Sequence, residues 1–214
     1  MKLRRGGWLV LLVGAMLAFW ALLAGPGEVL GIEPGKWGTA LLIVLAWTSM
    51  YAVARTPVGE AERGISPGEW KAWVGTAFML AATGYFLAKA HVFAAAGPAW
   101  DNPDARAVGR NLVLLLVAWS VLTGVLAARW KGRVQEDERD REIVRQAAGW
   151  GRGALVFCLV GLAALLAFSP PARLAWATHF MVANLLVFAL MWGWLCEYAA
   201  AAAMYWRDRR GAQA

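Results

Sequence analysis

Six apolar runs dominate this 214-residue chain, and each is long enough, or nearly so, to cross the hydrocarbon core of a bilayer as a helix. They are Trp8–Ala24, Trp37–Ala54, Trp70–Ala95, Val108–Ala128, Ala154–Phe168 and Leu174–Trp206. A bilayer core of about 30 Å needs around 20 mostly apolar residues in a helix, because only a helix or a closed barrel satisfies its own backbone there. The expected fold is therefore all-α, a single membrane domain of six transmembrane helices. Composition agrees: 60% of residues are hydrophobic and 16% charged, against about 25% charged in soluble domains. The mean hydropathy is +0.51.

Turn chemistry separates the runs. Gly25-Pro26-Gly27 and Glu33-Pro34-Gly35 flank the first connection, and Thr56-Pro57 closes the second run. Pro98 and Asn102-Pro103-Asp104 mark the third, while Ser169-Pro170-Pro171 makes a tight fifth turn. Ser66-Pro67-Gly68-Glu69 reads as a capping box with proline at the first helical position. Asp104 is the expected N-cap of the fourth helix.

The charges orient the bundle. With the N-terminus in the cytoplasm, all but Lys36, Lys89, Arg106, Arg110 and Arg173 of the 21 Lys and Arg residues fall on the cytoplasmic side. Cytoplasmic loops carry such an excess, so both ends are expected inside, in a bacterial inner membrane. Trp8, Trp70, Trp73, Trp130, Trp150 and Trp206 mark the inner interface, and Trp37, Trp100 and Trp176 the outer one. The first run is read as an uncleaved anchor, since it is longer than a signal h-region and Leu22 spoils a cleavage site at Ala24. The net charge of +7 forms no continuous basic face outside the membrane, which argues against a nucleic-acid partner. Cys158 and Cys196 both lie in apolar runs and form no disulfide framework.

Ser120, Gly124 and Ala128 recur every four residues, a spacing that lets another helix approach closely, within the bundle or between subunits. A charged helix is expected over 134–148, with Asp137–Arg141, Glu138–Arg141 and Glu142–Arg145 pairs on its surface. Ile143, Ala147 and Trp150 would form its membrane-facing side, with Gly149, Gly151 and Gly153 turning the chain into the fifth span. Asp137, Glu138, Arg139, Asp140, Arg141 and Glu142 thus make a candidate docking helix.

The segment Asp137-Glu138-Arg139-Asp140-Arg141-Glu142-Ile143 and the hairpin after it resemble a group of uncharacterised small prokaryotic multi-pass membrane proteins. These carry a "DER" acidic-basic segment before a transmembrane pair. Asn184, Glu197, Tyr205, Arg209 and Arg210 match that group's second helix. The resemblance covers the C-terminal third and implies a location and a fold type, without a reaction.

Few residues in the runs suit chemistry. Glu197 lies ten positions before Arg207, about 15 Å along a helix, which would put it near the bilayer midplane. There a carboxylate costs at least about 2.5 kcal/mol and is a functional candidate by default. Asn184 is expected to bond to a neighbouring helix. It stands 13 residues from Glu197, about 220° around the helix, so the two do not share a face. His91 and His179 are the only histidines. Both fall at the outer ends of their runs, which leaves a bis-histidine haem anchor as the alternative reading. Among nucleophile, zinc, phosphate-loop and dithiol motifs none occurs. The expectation is a non-enzymatic protein with no cofactor, a small transporter or an accessory subunit of a membrane complex, partnered by the lipid bilayer and by further copies of itself or other subunits.

Overall fold

A computed structural model of the chain describes residues 5–23, 34–54, 66–94, 102–130 and 138–211. Among them are six α-helices and no strand: α1 (Arg5–Leu23), α2 (Pro34–Ala54), α3 (Pro67–Ala94), α4 (Pro103–Trp130), α5 (Glu138–Phe168) and α6 (His179–Gly211). A short 3-10 turn, Pro171–Arg173, joins the last two. The turn residues Gly25-Pro26-Gly27, Glu33, Thr56-Pro57 and Pro98, and also Trp8, Trp100, Ala128 and Asp137, lie outside the described residues or side chains.

Prolines set three of the helix starts. Pro34, Pro67 and Pro103 each open a helix at its first position, where the missing N–H costs no hydrogen bond and φ is already helical. Ser66 caps α3 by accepting the Glu69 N–H at 3.1 Å. At α4 the cap is Asn102, not Asp104: its Oδ1 accepts the N–H groups of Asp104 and Ala105 at 3.0 and 3.1 Å. Proline in the first helical position leaves the residue before it as the cap, so Asp104 is already inside the helix. Pro170 and Pro171 end α5. The chain then turns, and α6 begins at His179, later than Leu174, behind Thr178, whose hydroxyl accepts the Met181 N–H at 3.1 Å.

The charged segment is not a separate helix. From Glu138 it runs without a break into the apolar stretch, making α5 a single 31-residue helix. Gly149, Gly151 and Gly153 are helical, and the expected turn is absent. Nor does Trp150 share the buried face. That face is the i, i+4, i+8 line Ile143, Ala147 and Gly151; the first two pack with Ala201, Ala202 and Tyr205 of α6 and Gly151 meets Gly193 and Glu197, while Trp150 is 66% exposed.

α6 is flanked by α3 and α5. Along α3 the contacts step in antiparallel register: Gly68 against Tyr205, Gly75 against Tyr198, then the Phe86–Phe188 and Phe93–Phe180 rings at 5.1 and 5.7 Å. A Cβ at Gly75 would come within 2.6 Å of the Tyr198 ring, so glycine is what lets that ring lie on α3. On the other side of α3 stand α1, α2 and α4. α1 and α2 cross at Gly38, where a Cβ would be 2.4 Å from the backbone nitrogen of Leu22. Trp119 of α4 closes the core: it stacks on Phe78 at 4.9 Å, and its indole N–H donates to the Tyr198 hydroxyl at 2.9 Å.

The outside is as apolar as the inside. Met16 and Trp20 on α1, Val113, Val117 and Val121 on α4, and Val156, Phe157, Val160 and Phe168 on α5 are all exposed. Water-soluble surfaces rarely carry apolar patches of that extent. Three of the described helical stretches are long and apolar enough to cross a membrane: Pro103–Val125, Glu138–Phe168 and His179–Arg210. α5 is the least covered, with 6% of its apolar window buried against 33% for each of the other two. Ser120 and Gly124 face outward, and a Cβ at Gly124 would meet nothing within 4 Å. The Ser120 hydroxyl donates to the Leu116 carbonyl of its own helix at 2.9 Å.

Candidate functional site

Two side-chain ion pairs join helices where α3 begins and where α5 and α6 meet it. Glu69, the last residue of the capping box, does not turn back to Ser66. Its carboxylate is buried and takes two donors, the Arg209 guanidinium of α6 and the Trp73 indole N–H, the latter at 3.3 Å. Beside it, the missing Cβ of Gly68 makes room for the Tyr205 hydroxyl, with the Asp140 carboxylate of α5 close by. Arg139 reaches across from α5 to Asp208 at 2.8 Å. Glu69 with Arg209 and Arg139 with Asp208 therefore tie α3, α6 and α5 together at one end.

Of the expected docking residues, Arg139 and Asp140 are thus turned toward α6 and α3. Glu138 and Arg141 are exposed. Glu142 accepts the Gln146 amide and the Arg145 guanidinium, both at 2.7 Å. These hydrogen bonds, the Gln146 amide first and Arg145 next, hold the Glu142 carboxyl below its ordinary value. Its small contribution to stability is therefore present at neutral pH and is lost only as pH falls through that lowered value.

Glu197 sits one layer further along α6. Its Cβ lies where a Gly151 side chain would stand, 2.8 Å from that position, and the Gly193 carbonyl is 2.9 Å from it. Here α5 and α6 approach to backbone contact. Lys71 of α3 and Arg152 of α5 are the charged neighbours of Glu197. It is therefore level with Arg152 on α5, while the register along α3 sets Lys71 opposite Ala202, about one turn nearer the charged end. Beyond it, Ala201, Ala202 and Tyr205 of α6 pack against Ile143 and Ala147 in the charged half of α5.

The other candidates stand apart. Asn184 is buried, but its amide donates to the Phe180 carbonyl of its own helix at 2.8 Å. That uses one of the two amide N–H groups, and among the described residues the amide makes no hydrogen bond to another helix. His91 and His179 are both exposed, and His91 Nδ1 lies 3.1 Å from the Ala88 carbonyl. The contact between the two helix ends is made by Phe93 and Phe180. His91, two residues before Phe93, points about 200° away from that contact. Among the described residues no group of three His, Cys, Asp or Glu side chains is placed to hold a metal.

No family model, curated protein or solved structure matches the chain. The chemistry must be read from the residues alone. They form a three-helix clamp of ion pairs, a close glycine crossing beneath it, and a carboxylate at that crossing with Lys71 and Arg152 as its charged neighbours. The clamp was the part sequence reasoning missed. Its signals were present: a capping-box glutamate, and a helix that ends in Trp206-Arg207-Asp208-Arg209-Arg210.

Proposed function

We propose that this chain is a six-span inner-membrane protein with both ends in the cytoplasm, and that it serves as a non-enzymatic accessory subunit of a larger membrane assembly. The observation that carries this reading is α5. Its apolar stretch is the least covered of the three candidate spans, and it continues rigidly into a charged extension held by the Arg139–Asp208 pair. Such a helix offers one continuous surface, apolar within the bilayer and charged beyond it. Arg141, Val144 and Arg145 face outward on the extension. Around Glu197 the helices meet at backbone contact distance, which suits joining better than passage of a solute.

The test is the size of the assembly extracted from native membranes in a mild detergent. The chain is expected to migrate in a complex larger than itself. A double substitution, Val144→Ser and Arg145→Ser, should release it as the lone chain with its melting temperature unchanged. A wild-type chain that migrates alone, with cellular function lost on Glu197→Gln, would point to transport instead.

A further inference from the structure

Two features fix how much of the α5–α6 hairpin can lie in hydrocarbon. At one end is the turn 169–178, irregular, mostly exposed and carrying the exposed Arg173. Lipid-exposed irregular backbone is excluded from a bilayer core, where its N–H and C=O groups would lack partners. At the other end α5 reaches Arg152, which is exposed and donates from Nε to the Ala148 carbonyl at 3.3 Å. Beyond it Arg145, Arg141 and Arg139 are exposed in turn. Between these limits lies the stretch 153–168, whose Val156, Phe157, Val160, Leu165 and Phe168 are exposed. It makes about 24 Å of helix.

The neighbouring helices have the same measure. α6 begins at His179, and its first acidic or basic residue after that is Glu197, level with Arg152 and about 27 Å along the helix. On α3 the interval from Lys71 to Lys89 is again about 27 Å, displaced by about a turn toward the charged end. Lys89 donates to the Leu23 carbonyl at the end of α1, at 3.0 Å. A typical bilayer core measures about 30 Å. Tilting would shorten the reach of α5 further, so a thick core meets it only by deforming the lipid. We propose that this chain is built for a thin bilayer, and that the lipids fitting its surface are phospholipids with short acyl chains that form a core of about 25 Å. Residues 138–151 of α5 and 198–211 of α6 then stand clear of the hydrocarbon as a stalk of about 20 Å, tied to each other and to α3 by the ion-pair clamp. The proposal rests on the reading that the hairpin crosses a membrane.

Thermal unfolding of the full-length chain in vesicles, followed by its tryptophan fluorescence, tests it with phosphatidylcholines that differ in chain length. The melting temperature should be highest in dimyristoleoyl, lower in dioleoyl and lowest in dierucoyl phosphatidylcholine. Arg152→Leu combined with Glu197→Gln removes both charges of the inner layer. The apolar run of α5 then continues to Ala147, about 9 Å further, and the optimum should move to dioleoyl phosphatidylcholine. A wild-type optimum in dioleoyl or dierucoyl lipid, or one melting temperature in all three, would overturn the proposal. So would a double variant that keeps the wild-type optimum. Release of the chain from the vesicles by alkaline carbonate would defeat the crossing itself, a different failure from membrane-held protein that shows no chain-length preference.

Discussion

Arg209→Ala should destabilise the folded chain by about 2–4 kcal/mol, read as a lowered melting temperature in detergent. The Glu69 carboxylate is only 7% exposed, whereas the Arg209 side chain is 48% exposed. Removing the arginine strands a buried charge with the Trp73 indole as its remaining donor. Removing the charge at the other end is milder: Glu69→Gln keeps an acceptor for Trp73 and leaves Arg209 free to turn to water, at a cost of about 1 kcal/mol. The asymmetry is the diagnostic. Equal losses from the two substitutions would mean that Glu69 is better hydrated than its burial indicates. Arg145→Ala, which removes an exposed pair within one helix, should stay within about 0.5 kcal/mol.

The second large effect is expected at the crossing of α5 and α6. In Gly151→Val the new Cβ would lie 2.8 Å from the Glu197 Cβ and 2.9 Å from the Gly193 carbonyl oxygen. Neither neighbour is the tip of a flexible side chain, so the two helices must move apart. Overpacking of this kind costs about 1–3 kcal/mol, and more when backbone must shift. Separation of the helices would also strain the Arg139–Asp208 pair above the crossing, so the loss should reach about 3 kcal/mol or prevent folding. Gly124→Leu is the control, because its Cβ enters open space. It should leave the melting temperature of the isolated chain unchanged, and any defect it causes would lie between subunits. A Gly151→Val variant as stable as Gly124→Leu would contradict the α5–α6 register.

Much of the helical framework was legible because it rests on local chemistry. Apolar runs, prolines and caps act over a few residues, and α3 begins at Pro67 behind Ser66 as its motif predicts. The errors have a shared cause, which is tertiary packing overriding local preference. Three glycines within five residues of α5 each cost a helix about 1 kcal/mol relative to alanine, which favours a turn. Gly151 is used instead to bring α6 to backbone distance, and the helix continues through all three. Likewise the surroundings of Glu197, Gly151 and Arg152 of α5 and Lys71 of α3, come from other helices and are invisible to counting along α6. Pairs such as Glu69 with Arg209 join residues far apart in sequence, and no periodicity encodes them. Asn184 shows the reverse case, a polar side chain expected to bridge helices that bonds instead within its own.

The orientation of the α5–α6 hairpin is the claim on which the functional reading depends. Membrane-impermeant maleimide labelling of single cysteines, in a chain carrying Cys158→Ala and Cys196→Ala, measures it directly. A cysteine at Val144, on the exposed face of the charged half of α5, should label only from the cytoplasmic side. One at Thr178, in the turn between the two helices, should label only from the opposite side. Labelling of both positions from the same side would contradict the account, because the hairpin would then not cross the membrane.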